Sequence, residues 1–173
     1  MTTQRGKHMK KTVFAMVAAA AAMFATPALA DDFTGPRVAA TVGYGTVDKA
    51  DAPTFGAQVG WDAAVGGAVF GLTGEYLETA KAGRDLSVTG RVGTRIGETS
   101  LVYALGGYTN RDDRYTELNR DGYRFGVGLE TATARLGANG FAGVEYRYSS
   151  YEPRGLAGRP DSHQVQVMAG VRF

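Results

Sequence analysis

Between Val38 and Phe173 the chain alternates apolar residues with small or polar ones, and it does so in eight separate runs. Strict alternation with a period of two marks a strand that has two unlike faces. Helical periodicity is weak throughout. The apolar faces read Val38, Ala40, Val42, Tyr44; then Phe55, Ala57, Val59, Trp61; then Phe70, Leu72, Gly74, Tyr76. The fourth is Leu86, Val88, Gly90, Val92, Thr94, Ile96, and the fifth is Leu101, Tyr103, Leu105. The sixth is Tyr123, Phe125, Val127, Leu129, and the seventh is Ala142, Val144, Tyr146, Tyr148. The eighth is Val165, Val167, Ala169, Val171 and Phe173, which ends the sequence.

Charge gives a partly independent check on these faces. Asp62, Glu75, Arg91, Arg95, Arg124, Glu130, Glu145, Arg147 and Arg172 all fall on the opposite, polar face. None interrupts an apolar face. A basic residue facing lipid at mid-bilayer costs ~2–4 kcal/mol in a barrel, so lipid enforces this kind of sorting. The links also alternate. Those at 47–53, 79–85, 111–121 and 152–161 read as longer polar loops, and those at 65–67, 97–98 and 137–140 as tight turns. Short turns at one end and longer loops at the other are the outer-membrane pattern, with both termini on the short-turn, periplasmic side.

A soluble barrel alternates as well, with its apolar face inward. Aromatic placement favours the membrane. Tyr44, Phe55, Tyr76, Tyr123 and Tyr148 sit near the long loops, and Trp61, Phe70, Tyr103 and Phe173 near the short turns. Those are two interfacial girdles. The polar face mixes glycine with long charged side chains, as an eight-strand interior filled by Arg–Glu pairs requires. The expected fold is therefore all-β: an eight-stranded, up-and-down antiparallel transmembrane β-barrel, preceded by a cleaved signal peptide.

The leader is residues 1–30. Lys10-Lys11 precedes an uncharged, Ala-rich run over 12–26, then Pro27 and Ala28-Leu29-Ala30. A basic start, a short apolar core and an A-x-A end make a secretory signal. Cleavage after Ala30 leaves 31–173 as one barrel domain. The formal net charge of +2 changes sign once Arg5, Lys7, Lys10 and Lys11 go with the leader, which disfavours a nucleic-acid partner. There is no cysteine, so disulfides, thiolate metal sites and cysteine nucleophiles are excluded.

The terminal alternation Val165, Val167, Ala169, Val171, Phe173 resembles the C-terminal signature of the small eight-stranded bacterial outer-membrane barrels. These are the opacity-type proteins, outer-membrane protein X and the barrel half of outer-membrane protein A. The pair 128–131 and Gly143-Val144-Glu145-Tyr146-Arg147-Tyr148 also resembles that family, as does Phe33-Thr34-Gly35-Pro36-Arg37 more loosely. The resemblance spans the mature chain. It implies residence in a Gram-negative outer membrane. It also implies that the assembly machinery reads the last strand. The implied role is structural and surface-interacting: envelope integrity, with loops that contact lipopolysaccharide or external ligands. No periplasmic wall-binding domain is present to add tethering. A narrow porin-like channel for small solutes, a lipid A-modifying enzyme and a soluble ligand-binding barrel stay open as alternatives.

Three sets of residues bear on chemistry. His163 stands near Ser149, Ser150, Ser162 and Glu152, the parts of an acyl-transfer triad, but the His-x-Ser spacing of barrel deacylases is missing because position 165 is Val. Asp112, Asp113 and Glu117 offer oxygen ligands, yet Arg111, Arg114 and Arg120 share their loop and make a solvated mixed-charge segment the better reading. Arg111, Arg114, Arg154 and Arg159 suit lipopolysaccharide phosphates. The expectation is no catalytic residue, no cofactor and no metal, with the nine inward charges as a paired plug.

Overall fold

The computed structural model describes residues 33–47, 50–80, 83–112, 119–133, 136, 139–152 and 161–173. The expected leader, residues 1–30, and parts of the loops lie outside them. Eight strands follow one another: β1 (Gly35–Val47), β2 (Ala50–Val65), β3 (Ala68–Thr79), β4 (Gly83–Ile96), β5 (Ser100–Asp112), β6 (Asn119–Ala132), β7 (Gly140–Tyr151) and β8 (Asp161–Arg172). Each pairs antiparallel with its neighbour, and β8 returns to β1 with Val38 opposite Val171 and Tyr44 opposite Val165. The sheet is a closed barrel. Closure gives every strand a partner on both sides, the condition for a sheet to sit in lipid without orphaned backbone groups.

The outside is apolar. Val42, Val59, Leu72, Val88, Val92, Val127, Val144 and Val167 are all exposed, as are Tyr44, Phe55, Tyr123, Trp61 and Phe70 toward the strand ends. The buried side chains are mostly polar or charged and point into the barrel. This is the inverse of a soluble core, and it is what a lipid solvent selects. The start of β1 and Phe173 both lie at the end that carries the 66–67 and 97–99 turns; we call it the inner end.

Two expectations are corrected. The fifth strand faces the other way. Leu101, Tyr103 and Leu105 are 0%, 3% and 7% exposed and point inward, while Val102 and Tyr108 face out. Tyr103 therefore leaves the inner girdle. The cause is turn length. A two-residue link at Gly97-Glu98 would pair Ile96 with Thr99; the turn spans 97–99 and pairs Ile96 with Ser100. One extra residue swings every following side chain to the opposite face. The second correction concerns the loops. Only 48–49 separates β1 from β2 and 80–82 separates β3 from β4, because polar residues carry the ladder past the point where apolar alternation stops. The β6–β7 link over 133–139 is one residue longer than 113–118 at the other end, so link length does not alternate cleanly.

Candidate functional site

The lumen holds three layers of ionic side chains. Near the inner end, Asp62 accepts hydrogen bonds from Arg91 Nε at 2.8 Å and Nη2 at 2.5 Å, and from Arg172 Nη1 at 2.9 Å. Arg37 Nε stands 3.2 Å from the same carboxylate. Glu130 accepts from Arg91 Nη1 at 2.9 Å and from Arg172 Nη2. Arg37 reaches on to Gln58 at 3.2 Å and Thr73 at 2.6 Å. These are bidentate and bridging contacts, which suit the planar guanidinium fork.

In the middle layer Glu75 is the hub. It accepts from Arg124 Nη1 at 3.0 Å, Arg147 Nη1, Gln58 Nε2 at 3.0 Å and Gln166 Nε2 at 3.3 Å. Glu145 accepts from Arg147 Nε at 2.7 Å, Gln166 at 3.1 Å and the Tyr103 hydroxyl at 2.5 Å. The Tyr103 ring lies 4.7 Å below the Arg91 guanidinium, so this residue ties the two layers together. A Cβ at Gly128 would enter the Tyr103 ring, and one at Gly71 would collide with Asp62. The inward glycines thus leave the space that the long charged side chains fill.

The outer layer pairs Asp85 with Arg111 Nη2 at 3.0 Å and with the Tyr151 hydroxyl at 3.0 Å, and the Arg111 guanidinium sits 4.8 Å from the Tyr151 ring centre. Charges this deeply buried persist only when paired and hydrogen-bonded. The geometry is that of a plug in which acids and bases satisfy one another.

The nine inward charges expected from the sequence stand as follows. Asp62, Glu75, Arg91, Arg124, Glu130, Glu145, Arg147 and Arg172 are buried in the inner and middle layers. Arg95 is half-buried at the inner mouth, its guanidinium 5.7 Å from the Phe33 ring centre. The structure adds four more: Arg37, Asp85, Arg111 and Arg120. Arg37 lies one residue before the first apolar run and shares the inward face of Ala39. Asp85 and Arg111 fall where the sequence reads as loop, yet they stand opposite each other in the β4–β5 ladder, an opposite-charge pair equidistant from the turn.

Arg111 is also a correction to the lipopolysaccharide set. It is 7% exposed and held inside the barrel by Asp85, so it does not meet outer-leaflet phosphates. Arg114, Arg154 and Arg159 lie outside the described residues. Among the described strand residues, the outward side chains at the outer rim are mainly acidic: Asp51, Glu78, Asp112, Asp121 and Asp161, with Arg84 the one cation. Inside, the sign reverses. Counting Arg120, which stands opposite Arg111 in the ladder, the described lumen side chains include eight arginines and five carboxylates.

The described members of the acyl-transfer and metal sets are placed as follows. His163 faces outward, where Nδ1 pairs with the Tyr146 hydroxyl at 2.7 Å and the ring packs on Tyr148. Ser149 and Ser162 point into the lumen, across the sheet from it, and Ser149 accepts from Arg124 Nε at 3.0 Å. Asp112 is taken by Arg84 at 2.5 Å, while Asp113 and Glu117 lie outside the described residues. The outward positions of the C-terminal signature, Val165, Val167 and Ala169, are exposed, and Val171 and Phe173 partly so, along the strand that closes the barrel.

Comparison with known proteins agrees with this architecture. A family model described as outer membrane protein beta-barrel domain matches residues 16–173. Among solved structures, the neisserial surface protein A barrel is similar with a TM-score of 0.55 at 12% identity, over 80% of this chain and 96% of that one. The N-terminal β-barrel domain of Pseudomonas aeruginosa OprF is similar at a TM-score of 0.46 and 12% identity, over 79% and 98% of the two chains. The outer membrane enzyme PagL gives 0.46 at 16% identity, over 79% and 99%. The likeness to neisserial surface protein A is one of fold. No curated protein matches the sequence.

Proposed function

The chain belongs to the outer membrane protein β-barrel domain family and is an integral outer-membrane protein; from that premise we propose that it is a closed structural barrel with no enzymatic chemistry. The observation that supports this reading is the lumen. Three layers of carboxylates and guanidiniums pair with one another instead of converging on a free reactive group. The barrel supports envelope integrity and holds its loops at the cell surface, with the inner end toward the periplasm. The last strand, Val165 to Phe173, is its handle for the assembly machinery, and the loops meet lipopolysaccharide or external ligands.

The acidic outer rim bears on how that surface contact is made. The strand ends repel phosphate, so direct contact falls to the loop arginines Arg114, Arg154 and Arg159. Replacing Arg154 and Arg159 together by alanine is expected to lower the lipopolysaccharide that copurifies with the folded barrel by several-fold. Retention equal to wild type would remove these loops as the contact.

A further inference from the structure

Among the described residues, one buried aromatic belongs to no strand. Phe33 precedes β1, yet it is 1% exposed. Its ring lies at the inner mouth in one buried apolar cluster with Val69, Leu101, Tyr103 and Leu105. Arg172 and Arg95 hold their guanidiniums 5.4 and 5.7 Å from its centre. The path into the mouth is fixed at Gly35. That residue has a φ of 96°, and a Cβ there would run into the Phe173 carbonyl. The Phe173 amide donates to Pro36 O at 2.9 Å, which pins the start of β1 beside the chain end. The backbone therefore doubles back at a glycine and delivers one aromatic ring under the innermost ionic layer.

We infer that Phe33 is a tethered stopper that seals the periplasmic mouth of the lumen. Two kinds of contact hold it. Leu101, Val69 and Leu105 bury its apolar surface, and the arginines above it place positive charge against the ring face. Neither contact is part of the strand ladder. The stopper can leave while the eight strands stay paired, which separates it from Tyr103 or Phe141, whose backbones are in the barrel wall. The inference rests on the closed-lumen reading and adds the element that closes one end.

The absence of cysteine makes the test direct. Single cysteines are placed at Leu101, fully buried in the cluster that contains Phe33, and at Thr109, buried nearer the outer end. Each is made with Phe33 and with Phe33→Ala, and the folded proteins are treated with a membrane-impermeant thiol reagent. Folding is checked by heat-modifiable migration. Leu101→Cys should be protected behind Phe33 and at least tenfold more reactive in Phe33→Ala, while Thr109→Cys stays protected in both. Protection of Leu101→Cys in Phe33→Ala would overturn the stopper and leave the closed lumen standing. Equal gains at both positions would make Phe33 a general support of the barrel, which also overturns it. Reaction of both cysteines with Phe33 in place would overturn the closed lumen itself.

Discussion

Asp62→Ala should destabilise the folded barrel by about 3–5 kcal/mol, the cost of breaking a buried ion pair and leaving its partners uncompensated. The carboxylate is fully buried and meets Arg37, Arg91 and Arg172. Glu130 alone would then face Arg91 and Arg172, in a lumen where arginines already outnumber acids. Glu145→Ala should cost less, because Arg147 keeps its contact with Glu75. Urea unfolding in lipid vesicles, followed by tryptophan fluorescence and gel migration, measures both. The single tryptophan, Trp61, stands beside Asp62 on the outer face and reports the same strand. A transition for Asp62→Ala that overlaps wild type would mean the guanidiniums have another source of compensation, and the ionic plug would lose its structural role.

Ala104→Arg should cost ~2–4 kcal/mol by facing lipid near the middle of the apolar band. It lies between Val92 and Val127 in the ladder, both exposed on the outside. With the face assignment suggested by hydrophobicity alone, position 104 would face the lumen and Tyr103 the lipid, and the arginine would meet the lumen carboxylates instead of the bilayer. Tyr103→Phe separates the two cases. It removes the hydroxyl from Glu145 and should lower stability by about 1–3 kcal/mol, since a buried charged acceptor loses a donor. In lipid, the loss of that hydroxyl would be neutral or favourable. An unchanged Ala104→Arg together with a neutral Tyr103→Phe would restore the opposite facing of β5.

That strand shows where the sequence was legible and where it was not. In the other seven, charged or large apolar residues break the symmetry between faces, and hydrophobicity together with charge gives the facing the structure has. From Leu101 to Asn110 there is no charge, and both phases are apolar. The alternation then fixes a strand but not its phase, and phase depends on whether the preceding turn holds two or three residues. Given the 97–99 turn, Arg91 and Arg95 would have placed Leu105 and Leu101 inward by pairing. The same arithmetic would have found Asp85 and Arg111. They were missed because apolar alternation ends before the hydrogen-bond ladder does. Polar strand ends look like loop when hydrophobicity is the only signal. Phe33 left a different kind of trace. A phenylalanine just ahead of the first strand reads as an exposed tail until the φ of Gly35 turns it into the mouth. The hub role of Glu75 was legible as an inward charge but not as a hub, because its partners come from β2, β4, β6, β7 and β8 and depend on closure.

The central claim is that the lumen is closed, and conductance tests it most directly. Refolded protein is added to a planar bilayer, with insertion verified separately by protease protection of the same preparation. A barrel sealed by the Asp85, Glu75 and Asp62 layers and by Phe33 leaves the bilayer silent. Reproducible single-channel steps from the wild-type protein, at an amplitude that scales with salt, would show a continuous water path past those ion pairs and would contradict the closed structural barrel.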